Sequence, residues 1–173
     1  MKDWHVHTWY SHDSFNPPRL MLRLYEKHGF DEILVCDHNT LQGGRVLSKM
    51  SERINIITGM EYKTRIGDLI GADIEEEVFE KDPLAFIDAV HEQGGFVILP
   101  HPYRSHVLLA EVLERVDYIE AFNGHVKFSL NLRALDLARA FKKPWTAGSD
   151  AHFPWDIGTV GFDERRLIFR RFR

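Results

Sequence analysis

Glu32-Ile33-Leu34-Val35-Cys36-Asp37-His38-Asn39 is the stretch on which the reading of the fold turns. Four apolar residues in a row, with no alternation, are expected of a strand buried on both faces. Strands of that kind belong to parallel sheets with helices packed on them. The run stops abruptly at three polar residues, Asp37-His38-Asn39.

The same pattern recurs outward in both directions. Upstream, Asp3 to Val6 reads as a short strand, with His5 and His7 on one face of it because strand side chains alternate. Downstream, Ile54 to Met60 ends at Glu61, and Asp68 to Ile74 is a plausible further strand. Phe96 to Leu99 ends at Pro100-His101-Pro102, Tyr118 to Phe122 at Asn123-Gly124, and Pro144 to Ala147 at Gly148-Ser149-Asp150-Ala151-His152. Helices are expected between them. The first opens at Pro17 or Pro18 and closes at Gly29; the second runs from Thr40 to about Glu52, although Gly43-Gly44 weakens its start. The others cover Asp82-Pro83 to Gly94-Gly95, His106 to Arg115, and Lys127 to Phe141. Alternating strands and helices with short loops favour parallel βαβ units, and seven strands suggest a closed or nearly closed α/β barrel over residues 1–173 as one domain.

Composition narrows the function classes. With 44% hydrophobic and 12% aromatic residues the chain can bury a core. No apolar run reaches the length of a membrane span, and MKDWHVH carries no apolar signal core. Cys36 is the single cysteine, which fits a reducing cytoplasm. The net charge is −4, but the last ten residues, ERRLIFRRFR, carry +4, leaving about −8 for the rest. An acidic body argues against coating a long nucleic acid and suits a collector of divalent cations. Leu167-Ile168-Phe169 in that tail reads as a terminal strand with solvated arginines around it. The ten histidines are the compositional oddity.

Those histidines are not scattered evenly. In parallel α/β folds the chemistry gathers at the carboxyl ends of the strands. His5 and His7 end the first strand, with Asp13 six residues on. His38 follows the second strand, Glu61 the third, His101 the fifth, and Asp150 with His152 the seventh. A histidine on a strand is by itself usually structural, but the joint placement points to one metal-binding cleft. His28, His91 and His106 fall in or beside helices and are assigned no chemistry.

With these residues in view, the sequence resembles the PHP family, named for polymerase and histidinol phosphatase. The motifs that carry the resemblance are His5-Val6-His7-Thr8 with Ser11 and Asp13, Asp37-His38-Asn39-Thr40 with Gly43, Gly59-Met60-Glu61, Leu99-Pro100-His101-Pro102, and Gly148-Ser149-Asp150-Ala151-His152. The resemblance implies a distorted seven-stranded (β/α)7 barrel, TIM-barrel-like, holding two or three divalent metal ions (Zn, Mn or Fe). The implied ligands are His5, His7, Asp13, His38, Glu61, His101, Asp150 and His152. Asp68 stands where the family usually has a histidine, and it opens its apolar run instead of ending it. Glu61 would bridge two ions, with His5, His7 and Asp150 on one side and His101 with Asp68 on the other; Asp13, His38 and His152 would hold a third. No cysteine is expected among the ligands.

The chemistry expected is hydrolysis of a small phosphomonoester, histidinol-phosphate-like or a nucleotide, by a metal-bridging hydroxide. Glu61, His101 and Arg104 are the catalytic assignments, with Arg104 gripping the phosphate and Lys63 and Arg65 next in line. His12 or His125 could lend a proton, and Asn123 could orient a ligand or the substrate. The competing readings are a nuclease acting on oligonucleotide ends, an amidohydrolase-like barrel, and a non-catalytic metal-binding module. A small phosphorylated partner is expected, with nucleic acid not favoured.

Overall fold

The computed structural model describes residues 1–163 and 166–169. Strand β2 (Glu32–His38) is buried from Ile33 to Asp37. Its continuous apolar run serves two cores. Leu34 and Cys36 point into the sheet's concave interior with Ile70, Ala72 and Ile98, while Ile33 and Val35 pack outward on Met21, Tyr25 and Leu47. β2 pairs in parallel with β1 (Lys2–Val6) and with β3 (Asn55–Thr64).

The outer layer follows from local signals. Helix α1 (Pro18–His28) has proline at its first position, and Gly29, at φ 74°, closes it in the left-handed conformation. In α3 (Pro83–Glu92) the Asp82 carboxylate caps the start, accepting the N–H groups of Leu84 and Ala85 at 3.1 Å each. Helix α2 (Gln42–Met50) tolerates Gly43-Gly44 because both glycines lie tight against the sheet side, Gly43 over Thr8 and Asp37 and Gly44 over Thr58. Helices α4 (Ala110–Arg115) and α5 (Phe128–Ala140) complete the layer among the described residues.

Strands β5 (Phe96–Leu99), β6 (Tyr118–Asn123) and β7 (Trp145–Gly148) continue the sheet in parallel. Two features depart from the seven-stranded parallel expectation. Strand β4 (Gly67–Ala72) runs antiparallel to both neighbours, β3 and β5. Only Arg65-Ile66 separates β3 from β4, far too short for the crossover that a parallel pair needs. A terminal hairpin, β8 (Val160–Phe162) with β9 (Leu167–Phe169), adds two more antiparallel strands beside β1. The described sheet therefore has nine strands in the order β7-β6-β5-β4-β3-β2-β1-β8-β9. The expected tail strand is β9; Arg165, Arg170, Arg171 and Arg173 lie outside the described residues.

The barrel is nearly closed at the carboxyl rim. Beyond β7, Ala151 bridges Val6 in parallel. Asp150 N–H donates to the His5 carbonyl at 2.8 Å, and His7 N–H to the Ala151 carbonyl at 3.1 Å. The two ends of the ligand set are thus joined by backbone bonds.

A methyl group at Gly43 would overlap both the Asp37 carboxylate and the Thr8 hydroxyl, which are hydrogen-bonded to each other and buried. Gly43→Ala is expected to destabilise the fold by about 1–3 kcal/mol. Urea unfolding checks this, and an unchanged midpoint would contradict the packing described.

Candidate metal centre

The rim collects its polar side chains from strand ends. His5 points inward from β1 and His7 follows it; both are fully buried. His38 is the last residue of β2. Glu61 sits three residues before the end of β3, not at its end as the sequence suggests, because that strand runs on into the hairpin. Asp68 pairs across from Lys63 at the start of β4. Since β4 runs backwards, its start lies at the rim, and the apparent misplacement of Asp68 is resolved. His101 and Asp150 each follow their strand by two residues and adopt positive φ, 29° and 55°. Such left-handed backbone is uncommon for non-glycine residues and clusters at functional sites.

The nitrogen and oxygen atoms converge around Glu61. Its Oε2 lies 3.4 Å from His5 Nε2 and 3.3 Å from His7 Nε2. Asp150 Oδ1 lies 3.4 and 3.3 Å from the same two nitrogens, which are themselves 3.2 Å apart. These gaps are long for charge-assisted hydrogen bonds. They match another geometry: an ion with four tetrahedral bonds of about 2.0–2.1 Å spaces its ligand atoms about 3.3–3.4 Å apart. Glu61 Oε1 turns the other way, 3.1 Å from His101 Nε2, and Glu61, Asp68 and His101 offer ligand atoms within 4.8 Å of one another. A third group lies outward, where Asp13 Oδ2 is 3.4 Å from both His38 Nε2 and His152 Nε2. All nine expected ligand residues therefore meet at one rim, in donor sets that suit divalent ions.

Charge divides the cluster into two zones. Burial depresses His5, but the carboxylates of Asp150, Glu120 and Glu61 outweigh it and lift the imidazole well above its ordinary pKa. His7 is pushed up to about 9, burial being outweighed by the facing carboxylates of Asp150 and Glu61. His101 is raised mainly by Glu61 against the same burial. Glu61 and Asp150 are held well below the carboxylate range despite burial, chiefly by His5 and its neighbouring histidines. His38 and His152 behave oppositely: burial dominates and lowers them.

The cleft above is lined by Asp13, His38, Glu61, Asp68, His101, Asp150 and His152, and also by Lys63, Arg104 and Ser105. Arg104 pairs with Asp150 Oδ2 at 3.1 Å. Arg65 lies in the exposed hairpin turn and does not line this cleft. His12 is exposed, its ring centroid 5.5 Å from that of His38. His125 is 3.5 Å from Asp156 and its ring lies 6.0 Å from that of His152. Asn123 Nδ2 donates to Asp150 Oδ2 at 3.2 Å, which brings it against a ligand candidate.

Two expectations change. The helix thought to begin at His106 begins at Ala110, and His106 instead covers the hairpin turn, its Nε2 2.8 Å from the Asp68 carbonyl. Cys36, left out of the expected set, lies beneath His5 and His7 within ligand range. Burial pushes its thiol pKa well up, and its Sγ lies 3.7 Å from the Val6 carbonyl.

Sequence reasoning also missed three buried carboxylates that brace the rim. Asp3 accepts both the N–H (2.9 Å) and the hydroxyl (2.6 Å) of Ser149. Asp37 accepts the N–H (2.6 Å) and hydroxyl (2.7 Å) of Thr8. Glu120 faces His5 Nδ1 at 2.9 Å and accepts the His101 N–H at 2.7 Å. Burial raises Asp3 to about 7 and Asp37 to about 6, opposed by the hydrogen bonds they accept. The available signal was an acidic residue inside an otherwise apolar strand, as at Glu120 in Tyr118-Ile119-Glu120-Ala121-Phe122.

A nearly closed α/β barrel with clustered N/O ligand sets on its carboxyl rim defines a class of metal-binding barrels. A family model described as PHP-associated matches residues 128–163. The uncharacterised protein MJ0417 of Methanocaldococcus jannaschii is 32% identical over 170 residues, covering 91% of this chain and 68% of that protein. A two-domain protein of Bacteroides vulgatus, described as containing a predicted PHP-like metal-dependent phosphoesterase, aligns with a TM-score of 0.75 at 19% identity. That match covers 89% of this chain and 52% of the other, so this chain spans about half of it. An amidohydrolase of Chromobacterium violaceum, with bound sulfate and no metal, aligns with a TM-score of 0.73 at 14% identity over 98% and 93% of the two chains. The chain belongs to the PHP family.

The two zones titrate differently, and metal binding should report it. A bound ion needs a neutral imidazole, whereas His7, at about 9, carries a proton at pH 7.5 in the metal-free protein. Filling the inner position should therefore release at least about one proton at pH 7.5, and its apparent affinity should rise with pH until about pH 9. Calorimetry of Zn²⁺ binding in buffers of different ionisation enthalpy measures this. Uptake with no proton release and no pH dependence would contradict the charge pattern.

Proposed function

We propose that this protein is a metal-dependent phosphoesterase acting on a small phosphomonoester and using two to three divalent ions of Zn, Mn or Fe. The observation that carries this reading is Glu61, buried, with one oxygen facing His5 and His7 and the other facing His101. A carboxylate shared between two ligand groups suits a site for adjacent ions. Ions held there would lower the pKa of water towards neutrality and neutralise charge on the phosphoryl oxygens. The chain's own residues supply the rest. Arg104 and Lys63 bring positive charge to the cleft wall, where they can hold phosphoryl oxygens. Arg104 is tethered by Asp150 and remains more than half exposed, so it can reach a substrate without leaving its partner. His125, which Asp156 raises in pKa against the opposing effect of burial, can carry a proton near the leaving group. Such a mechanism needs no covalent protein nucleophile.

No helix among the described residues is long and apolar enough to cross a membrane. The single buried thiol supports residence in a reducing cytoplasm. The acidic composition supports a small phosphorylated partner over nucleic acid. The fold likeness to the amidohydrolase makes amide hydrolysis the second reading.

A chromogenic phosphomonoester assayed with Mn²⁺, beside an amide and lactone panel, separates the two. Metal-dependent phosphate release is expected, and turnover confined to amides or lactones would overturn the proposal. Glu61→Gln should lower kcat by at least about a hundredfold while the protein remains folded by circular dichroism. Arg104→Ala should raise KM for the phosphomonoester by about tenfold with a smaller effect on kcat.

A further inference from the structure

Strand β6 contributes none of the nine ligand candidates, yet two of its residues touch three of them. Glu120 is 2% exposed, and its ion-pair partner among the described residues is His5. Its Oε1 lies 2.9 Å from His5 Nδ1. Its Oε2 accepts the backbone N–H of His101 at 2.7 Å and the Asn123 amide at 3.0 Å. Asn123 is fully buried and its orientation is settled: Oδ1 accepts the His125 N–H at 2.9 Å, which leaves Nδ2 to face Glu120 and, at 3.2 Å, Asp150 Oδ2. The backbone of Asn123 is held in turn by Asn131 on α5, which donates to its carbonyl at 3.0 Å.

We infer that Glu120 is the positioning residue of the metal centre, orienting His5 and His101 while Asn123 extends its hold to Asp150. This inference rests on the metal-dependent reading above. The physical argument is one of donors and acceptors. A carboxylate at Nδ1 fixes the proton on that nitrogen and leaves the Nε2 lone pair of His5 facing Glu61 and Asp150. The bond to the His101 N–H pins a residue whose backbone is left-handed, where strain must be offset by its surroundings. Glu120 accepts three hydrogen bonds with two oxygens. A glutamine of the same shape has a single acceptor oxygen, so at least one of His5, His101 and Asn123 loses its partner.

The test is Glu120→Gln. Zn²⁺ affinity, measured by competition with a chromogenic chelator, should fall about 10–100-fold. The visible spectrum of the Co²⁺-loaded protein should also change, which a role limited to folding would not produce. Unchanged Zn²⁺ affinity and an unchanged Co²⁺ spectrum would overturn the inference alone. Wild-type protein that takes up no ion would overturn the proposed function as well. Should the variant fail to fold, ring ¹⁵N spectra of Zn²⁺-loaded wild type decide the point. Protonated Nδ1 with coordinated Nε2 at His5 is expected, and coordination through Nδ1 would refute it.

Discussion

A carboxylate buried among histidines governs this molecule. Glu61 is 2% exposed and has four imidazoles within 3.6 Å, those of His5, His7, His38 and His101. An ionised group so far from water is costly unless it is paired. The pairing here is mutual, since Glu61 and Asp150 raise the histidines that lower them. Without an ion, protons on the imidazoles supply the compensating charge; a divalent ion would replace those protons. Much of the surrounding structure keeps these groups close. Backbone bonds link His5 with Asp150 and His7 with Ala151; Asp3 and Asp37 each brace one segment that bears a ligand candidate, and Glu120 braces two.

The architecture makes that convergence possible with few local motifs. Parallel strands deliver their carboxyl ends to one rim, so residues as distant as His5 and His152 share a cleft. The one antiparallel strand in the middle, β4, does the same with its amino end, and this places Asp68 beside Glu61 and His101. Asp68 thereby adds a carboxylate oxygen to the ligand atoms offered by Glu61 and His101.

Much of this was legible in the sequence, for identifiable reasons. The both-faces-buried run at Ile33–Cys36 and the polar stops at His38, His101 and Asp150 disclosed the parallel sheet and its rim. The direction of β4 was misread because its apolar pattern is the same in either direction; the two-residue connection at Arg65-Ile66 was the discriminating signal. The sequence reads as a helix from His106 to Arg115, but His106 is held over the β3–β4 turn by its contact with the Asp68 carbonyl and the helix begins at Ala110. Glu120 was missed because its partners, His5 and His101, lie 115 and 19 residues away, and no periodicity encodes such a pairing. Asp3 and Asp37 were passed over for the same reason.

The proposed function requires a cluster of ions shared through Glu61. Anomalous diffraction from crystals of the protein grown with Zn²⁺ or Mn²⁺, collected on both sides of the metal edge, tests it most directly. At least two adjacent peaks are expected to flank the Glu61 carboxylate, one within bonding distance of His5, His7 and Asp150 and another beside His101 and Asp68. Peaks confined to surface histidines such as His91, with none at Glu61, would contradict it.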